Sequence, residues 1–346
     1  MKVYTLFMLL CVCPTLYAQK QMILKTAPKI QGISIGLAGS GKVTIDWGGG
    51  KMESLILSDS ITDYSHDYSS SANINTVIIT GENVVYLDCI YNNITSLDVS
   101  NNAALKYLKC SNNRLLSLDV SKNRTLTDLI CRDNTLTSLS ISNNTALKNL
   151  ACAGNQLTGL NISNNKTLTN LDCAYNQLSD LDVSANTGLA QLNCNNNLLK
   201  KLDVSKNPAL KNFNCANNRL TSINVSQNKA LVKLDCSWNQ LTSVDISENT
   251  NLRDFNCSRN QLSSLNVANN ILRSLNCSYN KFSATALNNL FEMLYTFNMN
   301  DITKNKPEVN KVLADGNSPI INISGNPGST GSNTAIADRK NWYITN

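Results

Sequence analysis

Apolar residues recur along the middle of the chain at a fixed spacing. From Leu87 to Tyr279 the positions repeat as L-x-x-L-x-C-x-x-N-x-L-x-x-L-x-V-S-x-N-x-x. The segment LKYLKCSNNRLLSLDVSKNRT, residues 105–125, shows one full period. Successive repeat cysteines are 21 residues apart, except for the last pair, which are 20 apart. A constant period of this length predicts a solenoid of stacked repeats.

The apolar Leu and Cys positions of each repeat lie on one face of a short predicted strand, which a single repeat is too small to bury. Stacking buries this face, and ten strands about 4.8 Å apart form a parallel sheet about 43 Å long. The L-D-V-S half places Leu118 and Val120 inward from the opposite side, where a lesser ladder is expected. An Asn follows every repeat cysteine at the third position. Its short amide is expected to bond to backbone groups in the tight turn.

The repeat cysteines are interpreted as small apolar core residues. In-register side chains on parallel strands keep their Cβ atoms near 4.8 Å apart, whereas a disulfide needs roughly 3.8 Å. The repeats contain no histidine and no C-x-x-C pair, so a metal or redox role is disfavoured. The predicted core ladder consists of Cys89, Cys110, Cys131, Cys152, Cys173, Cys194, Cys215, Cys236, Cys257 and Cys277.

The two ends of the chain have other patterns. Residues 36–43, GLAGSGKV, resemble a phosphate-binding loop, but Val43 replaces the required hydroxyl and strand-like alternation follows. We therefore expect strand, turn and strand here and no nucleotide site. Beyond the repeats, Ser283 is positioned to cap an amphipathic helix that closes the last rung. A strand, a short helix and a last strand follow it in the pattern.

The N-terminal sequence predicts that the protein is exported from the cytoplasm. An apolar run after Lys2 ends at Ala18 and predicts a signal peptide, so the protein should cross the inner membrane and reside in the periplasm, at the cell surface or outside the cell. The net charge is +6 and falls to +5 when Lys2 is removed, with basic residues scattered. Nucleic acid is therefore not an expected partner. No later apolar run is long enough for a transmembrane segment, and a monomer is expected.

The repeat resembles the leucine-rich repeats, most closely the short bacterial form with a cysteine ladder found in some internalins. Upstream, Trp47, Gly48 and Gly50 followed by His66 and Tyr68 resemble the polycystic-kidney-disease type β-sandwich, although Gly49 replaces its usual Asp. His66 is then expected to be structural and buried at a strand edge.

These resemblances imply a mainly β fold. It would comprise a signal peptide (1–18), a β-sandwich-like N-terminal cap (19–82), a leucine-rich repeat solenoid of about ten 21-residue rungs (83–282) and a C-terminal α/β cap (283–346).

Two sets of residues are candidates for ligand binding. The resemblance implies that the concave sheet binds, and there the position before each cysteine is polar and weakly charged. The candidates on that face are Asp172, Asn193, Asn214, Asp235 and Asn256. Two positions after each cysteine a second row includes Tyr175, Trp238, Arg259 and Tyr279. The last three occupy successive rungs and should stack within about 5 Å of each other. Aromatic and Arg side chains are enriched at binding hot spots, although they could equally cover their neighbours.

The sequence offers few candidate catalytic residues, because it contains no nucleophile motif and no metal-ligand cluster. No cofactor is expected. The row that contains Asp119, Asp182 and Asp203 could form a calcium stack, but solvated strand-edge residues are favoured because a calcium loop's spacing and glycines are lacking. The sequence therefore predicts a non-enzymatic protein-binding scaffold of the adhesin type, directed at a host or neighbouring cell. A glycan-binding protein is the alternative.

Overall fold

The computed structural model describes residues 20–68, 73–297 and 318–345. The predicted signal peptide lies outside these residues. The strands are β1 (Gln21–Thr26), β2 (Gly32–Asp46), β3 (Met52–Leu57), β4 (Thr62–Asp67), β5 (Thr76–Asp88), β6 (Ile94–Asp98), β7 (Tyr107–Lys109), β8 (Asp128–Ile130), β9 (Asn149–Ala151), β10 (Asn170–Asp172), β11 (Gln191–Asn193), β12 (Asn212–Asn214), β13 (Lys233–Asp235), β14 (Asp254–Asn256), β15 (Ser274–Asn276), β16 (Ile320–Asn322) and β17 (Tyr343–Thr345). The helices are α1 (Ala284–Met293) and α2 (Ala335–Asp338).

The strands from β7 to β15 form the predicted parallel ladder. Each has three residues and pairs in register with the next, so that Leu171 lies beside Leu192 and Leu192 beside Phe213. The cysteine after each strand is a buried free thiol. Leu118 and Val120 are buried on the other side of the core, as expected. The mainly β solenoid with a cysteine ladder is therefore confirmed.

The Asn after each cysteine has the structural role that the sequence predicts. The first asparagine ladder consists of Asn92, Asn113, Asn134, Asn155, Asn176, Asn197, Asn218, Asn239, Asn260, Asn280 and Asn326. Nδ2 of Asn197 donates to the carbonyls of Cys173 and Cys194, at 3.0 and 3.1 Å. Its Oδ1 accepts from the N–H of Leu178 at 2.9 Å. Both ends of the amide are satisfied, and each Asn ties one rung to its predecessor.

A second asparagine ladder lies in the turn that follows the L-D-V-S half. It consists of Asn102, Asn123, Asn144, Asn165, Asn186, Asn207, Asn228, Asn249 and Asn270, all buried. Nδ2 of Asn186 donates to the carbonyls of Ile162 and Asn165, at 3.1 and 2.8 Å. The Oδ1 atoms of this ladder are buried without a hydrogen-bond partner. Only half of each amide is therefore used.

The N-terminal strands extend the same sheet. The end of β5 pairs in parallel with β7, and β2 pairs antiparallel with the other side of β5. β1 pairs with both β5 and β6, so it joins the strands that flank the core at this end. β5 crosses the predicted boundary at residues 82 and 83 as one strand. The sandwich-like character and the boundary stay predictions.

The prediction of strand, turn and strand over GLAGSGKV is wrong. The segment lies within the single strand β2, whose pairing with β5 shifts register after Ala38 and again between Ser40 and Val43. These irregularities absorb the glycines, so the chain continues without reversing. The reversal comes later, at Gly48, Gly49 and Gly50, before β3.

The C-terminal helix forms as predicted but does not close the solenoid. Ser283 Oγ accepts from Ala286 N–H at 3.2 Å, and Leu287, Leu290 and Phe291 are buried. After it, β16 pairs in parallel with β15, and β17 pairs with β16.

The expectation that α1 closes the last rung is wrong because IINISGN is itself a repeat half. In this segment Ile323 takes the cysteine position and Asn326 the position of the first asparagine ladder. The parallel sheet therefore runs past the last cysteine.

Candidate functional site on the concave face and the edge row

The concave face of the solenoid is a long groove of about 860 Å³. It is lined by residues one and three positions before each cysteine, between β8 and β15. The five predicted concave-face residues, Asp172, Asn193, Asn214, Asp235 and Asn256, all lie in it. The row three positions before each cysteine was not predicted. Strand alternation was the signal for it, because residues two apart on a strand share a face.

Each predicted concave-face residue also has a structural task. Its Oδ1 accepts from the backbone N–H two residues on, at distances of 3.0–3.4 Å. Such an Asx turn fixes the side chain and explains why only Asp and Asn occur at these five positions. The second oxygen of Asp172 pairs with Arg132, and Asn256 Nδ2 donates to the second oxygen of Asp235 at 3.0 Å, so only Asn193 and Asn214 keep an unused amide nitrogen towards the groove.

The centre of the groove is neutral and rich in free amides. Gln191, Asn193, Asn212 and Asn214, on β11 and β12, form what we call the central amide patch. Among the described residues, the side-chain nitrogens of these four amides have no protein partner. Leu192 and Phe213 are buried beneath them. The patch presents donors and acceptors with no net charge.

Ion pairs lie on both sides of the central amide patch. Arg132 contacts Asp172 at 2.7 Å, across the rung that carries Ala151. On the other side, Asp254 pairs with Lys233 at 3.7 Å and with Arg273 at 3.0 Å. The charges of the groove are therefore largely compensated within the chain, and the unpaired polar groups are amides.

The edge row is the set of residues two positions after each cysteine, together with its counterpart Gly325. All adopt positive φ, between 51° and 67°. The row consists of Tyr91, Asn112, Asp133, Gly154, Tyr175, Asn196, Asn217, Trp238, Arg259, Tyr279 and Gly325. Gly, Asn and Asp tolerate this left-handed conformation, whereas bulky residues are outliers in it.

Trp238, Arg259 and Tyr279 form the edge stack. The Arg259 Cζ lies 4.1 Å from the Trp238 ring centroid and 4.0 Å from that of Tyr279. The predicted stacking on successive rungs is therefore present, and Trp238 and Tyr279 remain 53% and 48% exposed. Tyr175 lies three rungs before Trp238 and is also exposed. The structure does not bring it into the stack.

His66, also singled out in the sequence, lies outside the groove and the edge stack. His66 packs against Trp47, with ring centroids 5.6 Å apart, and against Tyr68 at 4.7 Å. It is half-buried on the edge strand β4.

In the aspartate row of the L-D-V-S half, Asp119, Asp182 and Asp203 each accept from the serine N–H two residues on, and hydrogen bonds from the side chain and backbone of that serine lower their pKa values. Within the described ranges, no three His, Cys, Asp or Glu side chains converge as metal ligands would.

Burial keeps the thiols of the cysteine ladder protonated and therefore unreactive. Loss of solvent raises the pKa of the Cys194 and Cys277 thiols to about 12, and neighbouring thiols in the ladder are raised for the same reason. A thiol that stays protonated is neither a nucleophile nor a metal ligand.

Several solved structures are similar to this chain, and they contain leucine-rich repeats or are internalins. The functional domain of InlJ from Listeria monocytogenes, which includes a cysteine ladder, matches with a TM-score of 0.63 and 27% identity over 80% of this chain. The internalin InlF from Listeria monocytogenes str. 4b F2365 matches with a TM-score of 0.51 and 21% identity, covering 76% of this chain and 82% of that one. A leucine-rich repeat protein of Leptospira interrogans matches with a TM-score of 0.51 and 21% identity, covering 72% of this chain and 74% of that one.

This chain therefore has the leucine-rich repeat fold, and the predicted likeness to cysteine-ladder internalins is supported. It spans 63% of the InlJ chain, less than two thirds of its length. No protein-family model matches the sequence, and no curated protein does. In the part of the chain that the structure describes, every helix is too short or too polar to cross a bilayer.

Proposed function

We propose that this protein is a non-enzymatic binding scaffold that holds a protein partner on its concave face, in the manner of an adhesin outside the cytoplasm. The observation that carries the proposal is the central amide patch. Buried or covered polar groups must find partners, so unpaired amides on a concave surface favour a ligand that supplies donors and acceptors. An extended polypeptide segment supplies both along its backbone.

The fold supports this assignment over catalysis. The solved neighbours of this chain are internalins with the same solenoid, and solenoids of this kind present an extended concave binding surface. The acids of the groove are engaged within the fold: Asp172 and Asp254 pair with cations, Asp235 is held in an Asx turn and Asp128 accepts from the side chain of Asn149. The groove can recognise shape and hydrogen bonding, and these are the properties that a docking surface uses.

Charge insertion in the groove tests the proposal. The double variant Gln191→Lys, Asn212→Lys places two unpaired charges on the central amide patch without removing any hydrogen bond of the fold. A matched control is Gln156→Lys, Gln177→Lys, because these exposed glutamines lie outside the groove on adjacent rungs. Protein and glycan arrays are probed with the parent chain and both variants.

We expect the parent and the control to capture a protein partner and the groove variant to lose it by at least tenfold. Equal capture by the groove variant would overturn the concave face as the docking surface. A glycan remains the second candidate, because neutral amides beside exposed aromatic rings also suit sugars. Binding confined to the glycan arrays, and removed by soluble sugar, would replace the protein partner by a glycan.

A further inference from the structure

Arg259 is held between two aromatic rings, and among the described residues its charge has no carboxylate partner. The rings of Trp238 and Tyr279 cover its two faces at 4.1 and 4.0 Å. A guanidinium carries its N–H donors in its own plane, so stacking on both faces leaves the donors at its rim available. Cation–π contacts fix the position of the charge without neutralising it.

Arg132 and Arg273, on other rungs of the solenoid, show the contrast. Arg132 and Arg273 contact Asp172 and Asp254 at 2.7 and 3.0 Å. For Arg259, by comparison, no carboxylate of the described chain lies within 4.0 Å. Two arginines are thus neutralised internally, whereas the third is oriented by rings and left open.

The backbone of the edge stack is strained for these residue types. Trp238, Arg259 and Tyr279 have φ values of 53°, 54° and 52°. Six of the other eight positions of the edge row hold Asn, Asp or Gly, which cost less there. Strain at three successive rungs is not needed to form the turn, and retained strain of this kind is typical of ligand sites.

The next rung completes the arrangement. A Cβ at Gly325 would lie 2.5 Å from a ring carbon of Tyr279. Only glycine there lets the Tyr279 ring extend over the following rung. The fold therefore accommodates the stack on the side where it ends.

We propose that the edge stack is a carboxylate-binding subsite that receives an acidic side chain of a protein partner. A planar guanidinium with free rim donors matches a carboxylate in a two-point contact. The exposed ring surfaces on either side suit the carbon chain of a Glu or Asp residue. A peptide is the proposed occupant because Arg259 follows the groove residue Asn256 by only three positions in the same rung, so a chain lying in the groove can extend a side chain to it. In this respect the inference rests on the proposed function.

The test is a titration of the full chain, followed through the arginine Nε–H signals by nuclear magnetic resonance. The probes are a blocked tetraglutamate peptide, a blocked tetraglutamine peptide and sodium glucuronate. Arg219 is the internal control, since it is exposed and no ring of the described residues stacks on it. Arg259→Gln assigns the signal.

We expect tetraglutamate to move the Arg259 signal saturably, with at least fivefold weaker binding in high salt, while tetraglutamine leaves it unmoved. Trp238→Asn should weaken this response severalfold while Arg259 keeps its charge. Equal responses of Arg259 and Arg219 would overturn the subsite. A response to glucuronate alone would overturn the peptide occupant in favour of an acidic sugar.

The two proposals fail separately. A saturable Arg259 response with unchanged capture by the groove variant keeps the subsite and removes the concave docking surface. Loss of capture in the groove variant with an unresponsive Arg259 keeps the scaffold and removes the subsite.

Discussion

The interior of the solenoid and its edge row are built on the same period but are filled differently. Inside, the cysteine and the two asparagine ladders repeat nearly unchanged from rung to rung. On the edge row, the backbone repeats just as strictly, yet the side chains range from Gly154 to Trp238. The interior residues match what each rung needs in order to fold. Five of the edge residues do not.

We interpret this difference as a separation between the residues that fold the chain and the residues proposed to bind a partner. A left-handed turn position favours Gly, Asn or Asp, and several rungs use them. The large residues at Tyr91, Tyr175, Trp238, Arg259 and Tyr279 therefore work against their local backbone. Interior substitutions should cost stability, whereas replacing these large edge residues by Gly, Asn or Asp should leave stability unchanged or raise it.

The largest expected effect is alkaline unfolding through the cysteine ladder. Folding raises the thiol pKa values, so the stability they contribute is complete below the unfolded pKa of about 8.5 and is lost as pH rises above it. At pH 9.5 each buried thiol loses about 1.4 kcal/mol, which over the ten cysteines exceeds the stability of most domains.

Denaturant unfolding at pH 7.5 and 9.5 measures this loss. Thiol labelling provides the control, because the ladder should resist alkylation at the lower pH and react fully at the higher one. Equal stability at the two pH values would contradict the account of the cysteines as buried, protonated core residues.

The two asparagine ladders should differ in their contribution. Asn197→Ala removes a fully bonded amide and leaves the buried Leu178 N–H unpaired, at a cost of about 3 kcal/mol. Asn186→Ala removes two bonds but also an unpartnered oxygen, so about 1 kcal/mol is expected. Chemical denaturation measures both. Equal losses would show that the orphan oxygens have partners, such as buried water.

The smallest expected effect is a gain in stability instead of a loss. Tyr175→Asn should stabilise the chain by about 1 kcal/mol, because Asn accepts positive φ more readily. Asn112→Tyr is the reverse control, at a position with the same backbone, and should destabilise by a similar amount. Destabilisation by Tyr175→Asn would mean that the exposed ring serves packing.

How far the sequence predicts this molecule depends on periodicity. The interior is predictable because each rung faces the same packing and hydrogen-bonding problem, which one consensus answers. The stacking of Arg259 followed from spacing alone. By contrast, the rung formed by β16 was not predicted. Ile323 stands there in place of the repeat cysteine, and α1 interrupts the 21-residue period before it.

The other errors have local causes. The glycines of GLAGSGKV predict a turn, but bulges within β2 absorb them. In the central amide patch, Asn193 and Asn214 were predicted as concave-face residues, whereas Gln191 and Asn212 were not, although strand alternation places them on the same face. A ligand cannot be deduced from either row, because the periodic pattern reports on folding and the residues proposed for the edge stack depart from it.

The most direct test of the separation between folding and binding is the triple variant Trp238→Asn, Arg259→Asn, Tyr279→Asn, in which each new residue suits the left-handed turn. Its unfolding free energy and its capture of a partner from the arrays are measured beside the parent chain. We predict unchanged or higher stability with loss of capture. A loss of several kcal/mol with capture intact would contradict the account and make the edge stack part of the fold.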